Sequence, residues 1–334
     1  MKKIAINGLG RIGRIVFKEL IKDNDVEIVA VNDFSSPEEL AYLLKYDTVH
    51  GRFDANIESG EDYIKCNGKR IKVYSEADAL NLPWKELEVD MVVECTGAYT
   101  KLDDAKKHIR AGAKCAIISA PGKGEMKTIV YGVNENTLVG DEEVISAASC
   151  TTNCLAPVLN VIDKTFGIDY GFMTTVHAYT NDQVNLDVHH KKGMASRRGR
   201  ACAANIIPTS TGAASAIGKV IPTLEGKMSG NALRVPVTDG SMIDLSLKLN
   251  KSVTVEEINE AFRKNISDSL NITMDPIVSS DIVGNPTGAL VDGLLTEVLG
   301  EGKNQLVKVV AWYDNEYGYS VQMIRTIKHY LSLK

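Results

Sequence analysis

A cysteine that opens a helix and a histidine that closes a strand are the two side chains of this sequence best suited to covalent chemistry. Ser149-Cys150-Thr151-Thr152-Asn153-Cys154 joins a strand-like run to a helical one. Cys150 therefore falls at a helix start, where the dipole favours a thiolate. A free thiol with pKa ~8.5 is only a few per cent ionised at neutral pH, and a helix terminus or a cationic neighbour lowers it by ~1–5 units. A drop of ~2 units, worth about 2.7 kcal/mol, makes thiolate the majority form. His177 ends the strand-like run 172–176 and is the partner to test, holding the thiolate and shuttling the proton of a reacting aldehyde. The spacing alone does not bring the two together, and an isolated histidine is ordinarily a satisfied or surface residue. Cys154, one helical turn past Cys150, reads as a small buried helix residue. No Cys/His cluster has zinc-like spacing, so no metal is expected.

A second chemistry is written near the start. Gly8-Leu9-Gly10-Arg11-Ile12-Gly13 sits between a first strand and a first helix. Its glycines permit a tight turn, close approach of backbone to a pyrophosphate, and close helix–strand packing. The helix N-terminus offers unpaired N–H groups and a positive dipole end to phosphates. Asp33, 20 residues beyond Gly13, closes the second strand, where its carboxylate accepts hydrogen bonds from ribose hydroxyls. A carboxylate there repels a ribose 2′-phosphate, which favours NAD over NADP.

The elements that position these residues follow from periodicity. Before residue 150, apolar runs at 3–6, 27–32, 91–94, 115–119, 128–131 and 144–147 read as strands, with helices at 11–22 and 102–111. Continuous apolar runs suit a parallel sheet covered on both faces, a doubly wound α/β pattern. After 150 the texture changes. A helix at 151–166 precedes a strand at 171–177; strands at 241–249 and 305–313 flank a helix at 255–265, and a last amphipathic helix covers 319–333. The segment 179–204 is polar, basic and without period, a length of loop that is usually functional.

Composition bounds the function classes. At 334 residues two domains are expected, and 44% hydrophobic with 24% charged residues describes a soluble globular chain. A net charge of −5 argues against general nucleic-acid binding. No apolar run approaches the ~20 residues that span a bilayer, and the six cysteines suit reduced thiols in the cytoplasm.

Four motifs in order, Asn7–Arg14, Ser149–Cys154, Thr175-Val176-His177-Ala178-Tyr179-Thr180 and Trp312-Tyr313-Asp314-Asn315-Glu316, resemble those of the glyceraldehyde-3-phosphate dehydrogenase family from end to end. The resemblance implies a Rossmann NAD-binding domain at 1–149, an α+β catalytic domain with a mostly antiparallel sheet at 150–316, and a C-terminal helix at 317–334 that joins the first domain. It makes Cys150 the nucleophile and His177 the acid/base. It places Gly8, Gly10, Arg11, Ile12, Gly13, Asp33, Thr96, Ser119 and Asn315 at the NAD, with Asn315 on the nicotinamide amide. Ser149, Thr151, Thr211 and Gly212 resemble the site for inorganic phosphate; Thr180 and Arg234, with Arg198 or its neighbour Arg197, resemble that for the substrate phosphate. Hydroxyls and N–H groups wrap phosphate oxygens, and arginine offers a bidentate fork.

The same resemblance implies glyceraldehyde 3-phosphate and inorganic phosphate as substrates, a homotetramer, a cytoplasmic location, and no membrane or dedicated nucleic-acid partner. Lys191, Lys192 and Arg200 then belong to a solvated or interfacial face. Two departures stand out: Ala77-Asp78-Ala79 replaces Arg-Asp-Pro, and Val188-His189 replaces Leu-Pro, a pair that helps to exclude the 2′-phosphate in many relatives. Erythrose-4-phosphate dehydrogenase shares the scaffold, and a non-catalytic NAD- or RNA-binding role and a cysteine hydrolase or acyltransferase are the readings from other classes.

Overall fold

The computed structural model describes residues 1–191, 193 and 196–334, so Lys192 of the basic cluster lies outside the described residues. The chain divides into two compact units: 1–129, 135–149 and 323–334 form one, and 130–134 with 150–322 form the other.

In the first unit the order is β1 (Lys2–Asn7), α1 (Arg11–Leu20), β2 (Val26–Asn32), α2 (Pro37–Lys45), β3 (Ile57–Ser59), β4 (Tyr63–Cys66), β5 (Lys69–Tyr74), β6 (Met91–Glu94), α3 (Leu102–Arg110), β7 (Cys115–Ile118), β8 (Lys127–Thr128) and β9 (Val144–Ser146). They build one sheet in the order β3-β4-β5-β2-β1-β6-β7-β9-β8. It is parallel from β5 through β8, with the antiparallel β3 and β4 added at one edge. Alternation along β1 sends Ile4 and Ile6 to one face, against Val16, Phe17 and Leu20 of α1 and Ile327 and Tyr330 of the chain's last helix. Ala5 faces the other way, beside Ala30, Val92, Ala116 and Trp84. Both faces are covered, which is why the strands read as continuous apolar runs.

One strand departs from the expected pattern, and two local devices add to it. The strand expected at 128–131 is only Lys127–Thr128; Val130 instead accepts a turn, its N–H donating to Asn134 Oδ1 at 2.8 Å. Helix α2 opens on a capping box in which Ser36 Oγ accepts from Glu39 N–H while Glu39 accepts from Ser36 N–H, with Pro37 at the first turn. The β4–β5 hairpin turns on Asn67-Gly68, both at positive φ (47° and 84°), the combination that a two-residue type I′ turn demands.

The second unit contains α4 (Cys150–Phe166), β10 (Ile168–Ala178), β11 (Ile207–Ser210), α5 (Ala213–Ala216), β12 (Met228–Val235), β13 (Ser241–Leu249), α6 (Val255–Lys264), β14 (Leu270–Thr273), β15 (Ala289–Asp292), β16 (Glu297–Leu299), β17 (Leu306–Tyr313) and the start of α7 (Tyr317–Ser332). Its sheet runs β11-β12-β10-β13-β17-β15-β14, with β16 beside β17. Only β10–β12 and β14–β15 are parallel pairs. In β13, Ile243, Leu245 and Leu247 are fully buried while their neighbours are half-buried; each such side chain stabilises by roughly 1.5–3 kcal/mol relative to exposure. Helix α4 packs on β15 and β17, which anchors its first residue, Cys150, to the sheet. Among the described residues of 179–204 there is no long element, but a short 3-10 turn at Arg197–Gly199 and a bridge between Val184 and Ala201. Among the described residues no helix is long and apolar enough to cross a membrane.

Candidate functional site

In the first unit, Gly8 follows β1, Asp33 follows β2, Thr96 lies just past β6 and Ser119 follows β7, so all four stand at the carboxyl ends of parallel strands. That edge is where open α/β sheets take their ligands. A cavity of about 390 Å³ opens there, lined by Asn7, Gly8, Gly10, Asn32, Asp33 and Thr96 among others. Gly8 has φ +93°, and a Cβ on it would stand 2.9 Å from Thr96; a Cβ on Gly13 would stand 1.9 Å from the Gly8 carbonyl oxygen. Neither position admits a side chain. Gly10 caps α1 without any side-chain hydrogen bond, so no cap side chain competes with a phosphate at this helix start. Asp33 accepts from Leu9 N–H and Ser35 N–H at 2.8 and 2.9 Å, so its carboxylate is held in place with lone pairs toward the cavity. These features fit the adenosine and pyrophosphate of a dinucleotide.

Arg11 opens α1 and pairs with Asp47 at 2.6 Å. Burial raises the Asp47 pKa, but His50 N–H, the Arg11 guanidinium and Val49 N–H together hold it at about 2. Ile12 is half-buried against the core. Ala77 lines the cavity, and Val188 and His189 are exposed residues of the second unit.

The second unit brings the nucleophile and its base together. Cys150 Sγ lies 3.4 Å from His177 Nε2. His177 Nδ1 stands 2.7 Å from its neighbour's carbonyl, Ala178 O, which can only accept; the proton therefore sits on Nδ1, and Nε2 presents its lone pair to the sulfur. In the parallel β10–β12 ladder His177 is paired with Arg234, so both side chains leave the same face. Arg234 Nη1 lies 3.1 Å from His177 Nδ1 and donates to Ala178 O and Thr180 Oγ1 at 2.9 and 3.0 Å. Burial and then the Arg234 charge push the His177 pKa down to about 3.

The expectation of a thiolate at rest is corrected here. Burial pushes the Cys150 thiol up, and it outweighs the pull of Arg234 and of Thr151 in the opposite direction. Cys150 itself is only half-buried, so the helix start and these donors limit how far the thiol rises. In this arrangement His177 Nε2 is the acceptor within reach of the sulfur's proton. Cys154 is fully buried, its sulfur 4.0 Å from Trp312 O, as a packing residue should be.

The candidate anion ligands are placed as follows. Thr151 Oγ1 is 3.0 Å from Tyr313 Oη, which also meets Thr175 Oγ1 at 2.8 Å. Thr211 Oγ1 accepts from Ala213 N–H at 3.2 Å, and Gly212 caps α5. Ser149 is half-buried and belongs to the first unit. Arg198 pairs with Asp182 and donates to Thr209 Oγ1 at 3.0 Å, whereas Arg197 is exposed. Lys191 is exposed, and Arg200 pairs at the surface with Asp187 at 2.6 Å. Asn315 is buried, and Ser241 Oγ donates to its Oδ1 at 2.5 Å.

Sequence reasoning did not single out Asp182, Tyr313, Thr175 or Ser241. Asp182 ties the two arginines together, accepting from Thr180 Oγ1 at 2.6 Å while pairing with Arg198. Thr175 and Tyr313 stand inside two of the four motifs; Asp182 and Ser241 carry no local signal.

The C-terminal domain model of glyceraldehyde 3-phosphate dehydrogenase matches residues 149–315, and its NAD binding domain model matches residues 2–102. The chain is 52% identical over 333 residues to a glyceraldehyde-3-phosphate dehydrogenase of Clostridium pasteurianum, covering 100% of this chain and 99% of that one. A Clostridium acetobutylicum protein of the same name is equally similar, at 52% over 333 residues with the same coverage. Glyceraldehyde-3-phosphate dehydrogenase 2 of Bacillus subtilis is 51% identical over 332 residues, 98% of this chain and 96% of its own.

Proposed function

This chain belongs to the glyceraldehyde-3-phosphate dehydrogenase family, and from that premise we propose that it converts D-glyceraldehyde 3-phosphate and inorganic phosphate to 1,3-bisphosphoglycerate with reduction of NAD. The observation that carries this reading is the 3.4 Å approach of Cys150 Sγ to the unprotonated Nε2 of His177, with Arg234 beside them. A dehydrogenase of alcohols needs no such cysteine.

Cys150 adds to the aldehyde carbon as its thiol proton passes to His177 Nε2, and the imidazolium returns that proton to the new oxyanion, giving a hemithioacetal on the sulfur. The same Nε2 then takes the hemithioacetal O–H proton as the C–H bond breaks, leaving a thioester. NAD, when bound, accepts the hydride. Arg234, 3.1 Å from Nδ1, and the Ala178 carbonyl hold the imidazole so that Nε2 faces the sulfur. Inorganic phosphate attacks the thioester carbonyl, forming the acyl phosphate and restoring the thiol. Ser149, Thr151, Thr211 and Gly212 hold that phosphate; Thr180, Arg198 and Arg234 hold the substrate's own, and the Arg234–Thr180–Asp182–Arg198 chain supports such a binding site.

In the first unit Gly8, Gly10, Arg11, Ile12, Gly13, Asp33, Thr96 and Ser119 hold NAD, and Asn315 fixes the nicotinamide amide. The division of labour is that of residues 1–149 with helix 317–334 for NAD and 150–316 for chemistry. The protein is a cytoplasmic homotetramer on this reading, with 179–204 at a subunit interface; sedimentation equilibrium at four chain masses tests the assembly. The activity is tested by NADH formation from glyceraldehyde 3-phosphate with and without phosphate or arsenate. Turnover that ignores both anions and releases an acid would favour erythrose-4-phosphate dehydrogenase. No turnover with NAD bound would favour a non-catalytic role.

A further inference from the structure

Beneath the dinucleotide cavity runs a chain of hydrogen bonds that no part of the chemistry above uses. Glu94, at the end of β6, is wholly buried, as are His108 of α3 and Trp84; Asn7 is 1% exposed and Asn32 5%. The direction of every bond in the chain is set by its two ends. At one end the backbone N–H of Glu76, which can only donate, reaches Asn32 Oδ1 at 2.8 Å. Asn32 Nδ2 therefore faces Asn7 Oδ1 at 2.7 Å, and Asn7 Nδ2 must face Glu94 Oε2, at 2.5 Å. At the other end the Trp84 indole N–H, also a donor only, reaches His108 Nδ1 at 3.1 Å. The His108 proton is thereby forced onto Nε2, 3.1 Å from the same Glu94 Oε2. The second oxygen, Oε1, receives the Thr96 backbone N–H at 2.7 Å and the Thr96 hydroxyl.

Donors thus converge on Glu94 from both ends, and only a group that accepts on both oxygens satisfies them. Of the partners, Asn7, Asn32 and Thr96 line the cavity, while Glu94 itself does not. We propose that Glu94 is a positioning residue for the cofactor: acting through Asn7, Asn32 and Thr96, it fixes which polar atoms the cavity floor presents to the bound dinucleotide, with His108 and Trp84 holding its carboxylate from behind.

Glutamine at this position tests the idea because its volume is nearly the same and its polarity is not. Its amide must turn a donor toward one of the two converging sets. Toward Thr96 it meets a backbone N–H that cannot be reversed. Toward Asn7 and His108 it forces Asn7 to flip, which sets two donors against each other at Asn32, and it asks His108 for a lone pair that Trp84 already occupies. A buried donor left without an acceptor is costly, and the chain relaxes by moving its only adaptable parts, the side chains at the cavity.

The inference rests on the reading that this cavity holds NAD, and equilibrium binding of NAD, measured calorimetrically beside steady-state kinetics, separates the two. Wild type that does not bind NAD overturns both. With wild type binding, Glu94→Gln should raise the NAD Kd and KM at least tenfold while kcat at saturating NAD stays within about twofold, since Cys150 and His177 are untouched. A folded Glu94→Gln protein that binds NAD within twofold of wild type overturns the proposal, as does an equal loss in kcat. The His108 variants decide the matter even where Glu94→Gln does not fold. His108→Gln keeps a donor within reach of Glu94 and should hold the NAD Kd within about threefold, whereas His108→Leu removes the donor and should weaken binding at least tenfold. Equal weakening by both would reduce His108 to packing and overturn the relay.

Discussion

Replacing His177 by asparagine isolates the proton-transfer role of the imidazole. The shorter amide of His177→Asn can still donate to Ala178 O, the bond His177 Nδ1 makes at 2.7 Å, so the end of β10 keeps its hydrogen bond. Nothing in it reaches the sulfur that His177 Nε2 meets at 3.4 Å. What is lost is therefore a positioned base and little else. Such a group accelerates by about 10²–10⁴, which is about 2.7–5.5 kcal/mol of barrier. The assay is a single turnover with NAD and glyceraldehyde 3-phosphate both saturating, followed as NADH absorbance, so that binding and product release do not mask the chemical step. The burst should slow by that factor with its amplitude conserved. Alkylation of Cys150 by iodoacetamide gives an independent reading. Burial already holds the thiol up, and without the Nε2 acceptor its ionisation should move further toward alkaline pH. A burst slowed less than tenfold, together with an unmoved alkylation profile, would show that the two side chains are not partners and would refute the mechanism.

Cys150→Ser should bind NAD and form no thioester, because the hydroxyl stays protonated, whereas Cys154→Ser, at a fully buried packing position, should remain active with a lower Tm. Arg234→Leu removes charge-assisted hydrogen bonds worth about 1.5–3 kcal/mol each; KM for the phosphorylated aldehyde should rise at least tenfold while KM for unphosphorylated glyceraldehyde changes far less. For cofactor choice, Asp33 should impose a strong NAD preference at pH 8, and Asp33→Gly should narrow the NAD/NADP ratio of kcat/KM; His189→Pro tests whether NADP use rises on acidification in wild type alone, and equal use of both cofactors by wild type at pH 8 would dismiss Asp33. The Asp47 carboxyl, held at about 2 in the folded chain against ~3.9 when unfolded, contributes stability that is present above about pH 4 and lost as pH falls through 2. The stability gap between wild type and Asp47→Asn should therefore shrink by roughly 1–2 kcal/mol between pH 5 and pH 2 in denaturant titrations, after discounting for solvent screening, and a gap independent of pH would show that the His50 and Val49 N–H groups and Arg11 do not hold the carboxylate.

What the sequence determined by itself was local. The glycine turn at 8–13, the carboxylate after β2 and the cysteine at the start of α4 are set by backbone geometry within a few residues, so their spacing is legible without a fold. The capping box at Ser36–Glu39 and the Asn67-Gly68 hairpin were equally local, and were passed over between the stronger apolar runs. Tertiary structure alone decided the rest. His177 and Arg234 lie 57 residues apart and meet because two strands pair in one register; a slip of one residue would turn Arg234 to the other face. Asp182 has no motif, and it matters only because the chain returns to bring Arg198 against it. The state of the Cys150 thiol was the furthest from reach. A helix start can be read from a sequence, but the burial that raises the thiol is a property of the folded chain, and no local pattern records it.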